Sequence, residues 1–351
     1  MLDNQIVQKS SDVNEPHLGP IEVPAQEKIK VYFDPQQAIA DFDADVQVSE
    51  APAPIVDIRL ASYLKNARLL MKHREYSLAL NILRQACNRD SRHPVTLGLL
   101  ATCLETTSRH QEALIARRAL VDIEYGFANL FRYATALYKL GKDQEALDKY
   151  YEALAVLKEE NESLFETYKN MGNIFVRQGD FDAAEEYYNK AYTMNPKSDV
   201  LLVNLGTLEV QRNDFDKSLY CFRNAVAINP QNDKAWVGLA MVHNHFGDNE
   251  LAWANIESAV DINPKNRTAV HLAANWGLRD GRTQKSIEFL QSYLGSVEED
   301  EDMSLVLINL FCTLGHVDKA LLEMERVLLW NPRHSEVRSL KKKILDSQKV
   351  A

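Results

Sequence analysis

Four prolines constrain this chain more than any other feature. Pro196, Pro230, Pro264 and Pro332 are separated by 34, 34 and 68 residues, so the chain is periodic with a period of 34. Each follows a hydrophobic residue and an asparagine: Met194-Asn195, Ile228-Asn229, Ile262-Asn263 and Trp330-Asn331. A second mark lies halfway between them. Gly179-Asp180-Phe181-Asp182 recurs as Asn213-Asp214-Phe215-Asp216, as Gly247-Asp248-Asn249-Glu250 and as Gly315-His316-Val317-Asp318, and upstream as Gly141-Lys142-Asp143-Gln144. A period between 20 and 50 residues is the signature of an array of small units. Each unit reads as two amphipathic helices. A glycine or asparagine ends the first helix in a left-handed conformation, a small residue four or five positions later lets the two helices cross closely, and the proline stops the second helix. One such pair cannot bury its own apolar face, so neighbouring pairs must stack.

The unit resembles the tetratricopeptide repeat. That family marks an aromatic or large apolar residue at position 4, small residues at 8, 20 and 27, an apolar one at 11, an aromatic at 24 and proline at 32. The unit starting at Phe165 matches throughout, with Tyr168, Gly172, Phe175, Ala184, Tyr188, Ala191 and Pro196. In the next two units Glu209 and His243 depart from the apolar eleventh position. Further units start near Leu60, Pro94, Phe127, Arg267 and Glu301, with about four extra residues near Lys158 to Asn161 that lengthen a helix. The resemblance implies an all-α fold, a right-handed α-solenoid superhelix of helix-turn-helix units. Eight units are expected over residues 58–334, followed by a capping helix over 335–351.

Charge sets the first 57 residues apart. They hold eleven acids and three bases, −8 of the chain's net −10, together with six of its eleven prolines. Such a segment lacks the apolar surface to fold alone and is expected to be mostly disordered. Within it, residues 28–48 carry a short amphipathic pattern. Ile29, Val31 and Phe33 alternate, Asp34-Pro35-Gln36-Gln37 reads as a helix start, and Ile39, Phe42 and Val46 share one apolar face. The remaining body is near neutral, which excludes a general nucleic-acid binder. No apolar run is long enough to span a bilayer. With no secretory pattern at Met1-Leu2-Asp3 and no Cys-x-x-Cys pair, a cytoplasmic protein with buried reduced thiols at Cys87, Cys103, Cys221 and Cys312 is expected.

No phosphate loop, nucleophile elbow or metal-spaced cluster occurs, so no enzyme activity, cofactor or metal is expected. The acidic run Glu298 to Asp302 is read as a turn that supplies acids to the next helix N-terminus. Function is expected to be binding. In the family that the chain resembles, positions 2, 5, 6, 9, 12 and 13 line the inner groove. Here they carry Lys65, Arg68, Lys72, Arg132, Lys139, Lys169, Arg177, Lys234 and Arg279, against only Glu105, Glu166 and Asp302. That bias suits an acidic peptide or partner segment. Lys169, Asn173, Asn204 and Lys234 match four of the five residues with which some tetratricopeptide domains clamp a C-terminal carboxylate; Gly238 stands where the clamp has arginine. The expected peptide site is therefore Arg132, Lys169, Asn170, Asn173, Arg177, Asn204 and Lys234. Residues 28–48 are expected to compete for it from within the chain, as an autoinhibitory pseudo-ligand. The alternatives left open are bait for another protein, a self-assembling homo-oligomeric subunit, and a chaperone of a secretion or motility complex.

Overall fold

The computed structural model describes residues 57–158, 162–297 and 299–348. The amphipathic segment with Phe33, Ile39, Phe42 and Val46 lies outside the described residues. Every regular element among the described residues is an α-helix. The chain divides into two compact bodies, one up to Leu100 and one from Ala101. The first holds the pair α1 (Ile58–Lys72) and α2 (Tyr76–Arg89) and the start of α3 (Pro94–Thr106). Its core is Leu60, Leu64 and Ala67 against Ala79, Leu83 and Ala86.

The second body runs from the end of α3 through fourteen further helices. These are α4 (His110–Ile123), α5 (Phe127–Lys139), α6 (Asp143–Val156), α7 (Ser163–Gln178), α8 (Phe181–Met194), α9 (Asp199–Gln211), α10 (Phe215–Ile228), α11 (Asp233–His245), α12 (Asn249–Ile262), α13 (Arg267–Arg279), α14 (Thr283–Ser296), α15 (Glu301–Thr313), α16 (Val317–Trp330) and α17 (Ser335–Gln348). Apart from α3, each odd-numbered helix up to α15 packs on the even-numbered helix that follows it, and α5–α7, α7–α9 and α9–α11 also touch. The first helices α5, α7, α9 and α11 thus form a continuous row. The extra residues after the Phe127 unit do not prolong α6, which ends at Val156. Instead α7 starts at Ser163, and Leu164 in its first turn is buried.

Local chemistry explains the boundaries. The first helix of each unit is followed by a residue with positive φ: Gly141, Gly179, Gly247, Gly281 and Gly315, but also Arg74, Ser108 and Asn213. The second helices α8, α10 and α12 are capped by Asp180, Asp214 and Asp248, each accepting the backbone N–H three residues on at 3.1 Å. Ser198, Asn232, Asn266 and Asp300 cap α9, α11, α13 and α15 in the same way. The asparagine before each proline has its own partner. Asn229 and Asn232 both donate to Asp199, at 2.7 and 2.9 Å, and Asn263 and Asn266 repeat the contact on Asp233. In the unit starting at Arg267 the polarity is inverted. Arg267 stands where the acid would be and donates to Asp300 at 2.7 Å, with Asp302 at 2.9 Å and the Tyr293 hydroxyl also on Asp300. Asp300, Glu301 and Asp302 of the acidic run thus serve the α15 N-terminus, as read from the sequence.

Core packing follows the repeat positions. Tyr188 and Phe222 are 2% exposed and pack against glycine backbones. A Cβ on Gly172 would lie 2.5 Å from the Tyr188 ring atom Cε1, and one on Gly206 would lie 2.8 Å from Cε1 of Phe222. Serines at the small position 20 are buried because their hydroxyls donate to first-helix carbonyls, Ser218 to Gly206 at 2.9 Å and Ser286 to Ala273 at 2.7 Å. Of the four cysteines, all free, Cys87 and Cys103 are buried, whereas Cys221 and Cys312 are only half-buried.

Candidate functional site

The first-helix row carries the residues singled out for peptide binding, and the structure divides them into three groups. The asparagines form a hydrogen-bonded network. The Tyr188 hydroxyl donates to Asn173 Oδ1 at 2.7 Å, the Asn204 amide donates to the same oxygen at 2.8 Å, and the Asn173 amide donates to the Tyr138 hydroxyl at 3.0 Å. Asn173 therefore ties α5, α8 and α9 to α7. Asn170, 6% exposed, donates to the Tyr150 hydroxyl at 3.0 Å, and Thr135 shares that hydroxyl. Burial pushes the Tyr150 phenol up to about 12 and raises Tyr188 as well, so both stay protonated at neutral pH. Asn173 keeps one amide hydrogen beyond these bonds, and Asn204 keeps one amide hydrogen and its oxygen.

Two cations are paired with acids of this chain. Lys169 contacts Glu166, one turn earlier, at 2.6 Å and lies 5.5 Å from the centre of the Phe165 ring. Arg177 bonds Asp143 across the unit boundary at 2.5 and 2.9 Å and stacks over Tyr138 at 4.5 Å. The hydrogen bonds to Asp143 raise its pKa further against the opposing effect of burial. Arg132 and Lys234 form the third group. Both are exposed, and neither makes an ion pair with a described residue, as is also true of Lys139. Arg279 is held by Asp280, Asn244 and Asn249.

Gly238, at the fifth clamp position, is a packing residue. A Cβ there would lie 2.5 Å from Cδ1 of Phe222, the same ring that Gly206 approaches from the preceding helix. Any side chain at 238 must displace that ring, so its position excludes the clamp arginine for a steric reason.

Sequence reasoning overlooked an apolar component. Val200, Met241 and Leu278 are 47%, 40% and 48% exposed at the second, ninth and twelfth positions of their units. Their signal was a hydrophobic residue at a position that should be polar. The histidines behave as core and surface groups. His243 is buried and its pKa is lowered, by burial and then by Arg223, whereas His245 stacks on Phe215 with centroids 3.5 Å apart. Among the described residues no cluster of three His, Cys, Asp or Glu is placed to hold a metal ion, and no helix is long and apolar enough to cross a membrane.

Comparison with known proteins places these units. Two family models described as tetratricopeptide repeat match residues 126–197 and 203–267. A 64-residue stretch is 41% identical to the Photosystem I assembly protein Ycf3 of Rippkaea orientalis, covering 18% of this chain and 36% of that relative, so the chain spans about a third of that protein's length. A tetratricopeptide repeat protein from Parabacteroides merdae superposes with a TM-score of 0.59 at 19% identity, covering 71% of this chain and 97% of that structure. PilW, described as a type IV pilus biogenesis factor, superposes with a TM-score of 0.54 at 15% identity, covering 63% and 99%. Both structural likenesses bear on the fold alone. The chain thus carries tetratricopeptide repeats over residues 126–197 and 203–267, and repeats of this family support contacts with other proteins.

Proposed function

We propose that the first-helix row binds an extended acidic peptide or partner segment that also carries apolar side chains, without catalysis. The observation that carries this reading is the exposure of Arg132, Lys139 and Lys234, unpaired with any acid among the described residues, on the row where Asn173 and Asn204 are held rigid. Cations not held by a neighbouring acid attract a carboxylate without first breaking a bond. Asn204 retains a donor and an acceptor, which suits a peptide backbone. Val200 and Met241 offer contact area for apolar side chains. Lys169 and Arg177 shape the surface and hold other residues; they contribute charge only if a ligand displaces Glu166 or Asp143. The acidic segment before residue 57 competes with acidic ligands for cations of its own chain, which makes binding autoinhibited, and the protein works in the cytoplasm.

The test is binding of a fluorescein-labelled peptide that alternates glutamate with leucine, followed by polarisation at low salt. Arg132→Glu with Lys234→Glu should weaken binding more than tenfold, since two attractive contacts of about 1 kcal/mol each become repulsive. Unchanged affinity with an unchanged helical spectrum would refute the reading. A second reading, a self-assembling subunit or a chaperone of a larger complex, is favoured by Leu322 and Leu329 on α16, 70% and 79% exposed. A mass that rises with concentration and falls on Leu322→Ser with Leu329→Ser would support it.

A further inference from the structure

The first described helix differs from the other first helices in charge. Helix α1 holds Arg59, Lys65, Arg68 and Lys72 and no acid. Leu60, Leu64 and Ala67 face the core, while Lys65, Arg68 and Lys72 are exposed. Spacings of three and four residues put these three cations within about 60° of one another on the helical wheel. None of them makes an ion pair with a described residue, in contrast to Lys169, Arg177, Arg267 and Arg279 further along. The three form a stripe of unspent positive charge about 10 Å long.

The chain that enters α1 has the complementary charge. Asp57 caps the helix through the N–H groups of Arg59 and Leu60 and also accepts from Arg89 at 3.2 Å, so the point of entry is fixed. Residues 31–56 contain Asp34, Asp41, Asp43, Asp45 and Glu50, and no lysine, arginine or histidine. Their reach is sufficient. At ~3.3 Å per residue, Glu50 can lie at most about 23 Å from Asp57 and Asp41 about 53 Å. Along the helix, Lys65 is about 12 Å from Asp57 and Lys72 about 22 Å. We infer that the segment Asp41–Glu50 docks on the Lys65, Arg68 and Lys72 face of α1 in the same chain. The short tether gives a local concentration on the order of millimolar, which is enough for weak exposed ion pairs to close. This inference rests on the autoinhibitory reading above and gives it a location, on α1 rather than at Lys169 and Lys234.

The full-length chain tests it. Carbodiimide coupling at about 20 mM salt joins a carboxylate to a lysine amine in contact with it, and peptide mapping reads which pairs formed. The expected links join Lys65 or Lys72 to Asp41, Asp43, Asp45 or Glu50. They should disappear near 0.5 M salt, where screening acts within about 4 Å. Links from these acids mainly to Lys139 or Lys234 would overturn the location while leaving autoinhibition standing, and absence of any such link would overturn both. Links between chains, read from a mixture of isotope-labelled and unlabelled protein, would overturn the intramolecular assignment. As a second measurement, Lys65→Glu, Arg68→Glu and Lys72→Glu together change only exposed side chains. They should speed glutamyl-endopeptidase cleavage after Glu50 by about three- to tenfold at low salt. An unchanged cleavage rate would overturn the inference. Failure of the peptide to bind the Arg132 and Lys234 row would leave both measurements unaffected.

Discussion

Replacing Gly238 by alanine tests the close approach that denies the clamp its arginine. In an unobstructed helix interior this change stabilises by about 1 kcal/mol, because alanine restricts the unfolded chain and glycine does not. Here the added methyl would sit about 2.5 Å from the Phe222 ring, against the ~3.5–4.0 Å of ordinary carbon contact. The ring has no open space to enter, since it is 2% exposed and Gly206 already approaches it. Overpacking of this depth costs about 3 kcal/mol, the upper end of the usual range for one inserted methyl. The expected net effect is a loss of about 2 kcal/mol. Chemical denaturation followed by tryptophan fluorescence is suited to this region, because Trp236 packs in the same cluster as Phe222. Gly98→Ala is the control: a Cβ there meets nothing within 4 Å, and the change should stabilise by about 1 kcal/mol. In a Phe222→Leu background the penalty of Gly238→Ala should shrink by more than 1 kcal/mol, because the obstructing ring is gone. Stabilisation by Gly238→Ala, or strict additivity with Phe222→Leu, would refute the steric argument.

Two further outcomes are expected. Arg74 and Ser108 occupy the left-handed position that glycine holds in most other units, with φ of 64° and 60°, so Arg74→Gly and Ser108→Gly should each raise stability by up to about 1 kcal/mol in thermal unfolding, whereas Gly179→Ala should lower it. Burial raises the Asp300 carboxyl, but the hydrogen bonds from Arg267, Tyr293 and the Met303 amide outweigh it and hold the group below its ordinary 3.8. A depressed carboxylate stabilises the fold above its unfolded pKa and loses that contribution as the pH falls through the folded value. Stability measured from pH 5 down to about pH 2 should therefore decline less steeply in Asp300→Asn than in the parent chain, and an identical decline would exclude this group as a source of acid sensitivity.

Helix punctuation was legible because it is local. The glycine at 179, the aspartate at 180 and the proline at 196 act on backbone within about four residues, and the structure shows the left-handed turn and the side-chain cap where the pattern put them. The pairing of Lys169 with Glu166, one helical turn apart, had a local signal too, but the sequence reading assigned Lys169 to a ligand instead. The pairing of Arg177 with Asp143 was not, because the partners are 34 residues apart and the sequence offers several acids at that distance. The asparagines show the same limit. Asn173 and Asn204 stood at ligand-facing repeat positions, yet much of their hydrogen-bonding capacity is taken up by Tyr138, Tyr188 and each other.

The sequence by itself determined the all-helical class, the unit length and the position of each break, since periodicity and capping depend on neighbouring residues. Only the tertiary structure decided which cations on the first-helix row remain available, which amides are rigid, and why position 238 must be glycine. Those properties depend on contacts between successive units, about 34 residues apart in the chain and a few ångströms apart in space. A 34-residue repeat sets which positions meet, while the particular side chains at both ends decide whether a charge is spent or left for a partner.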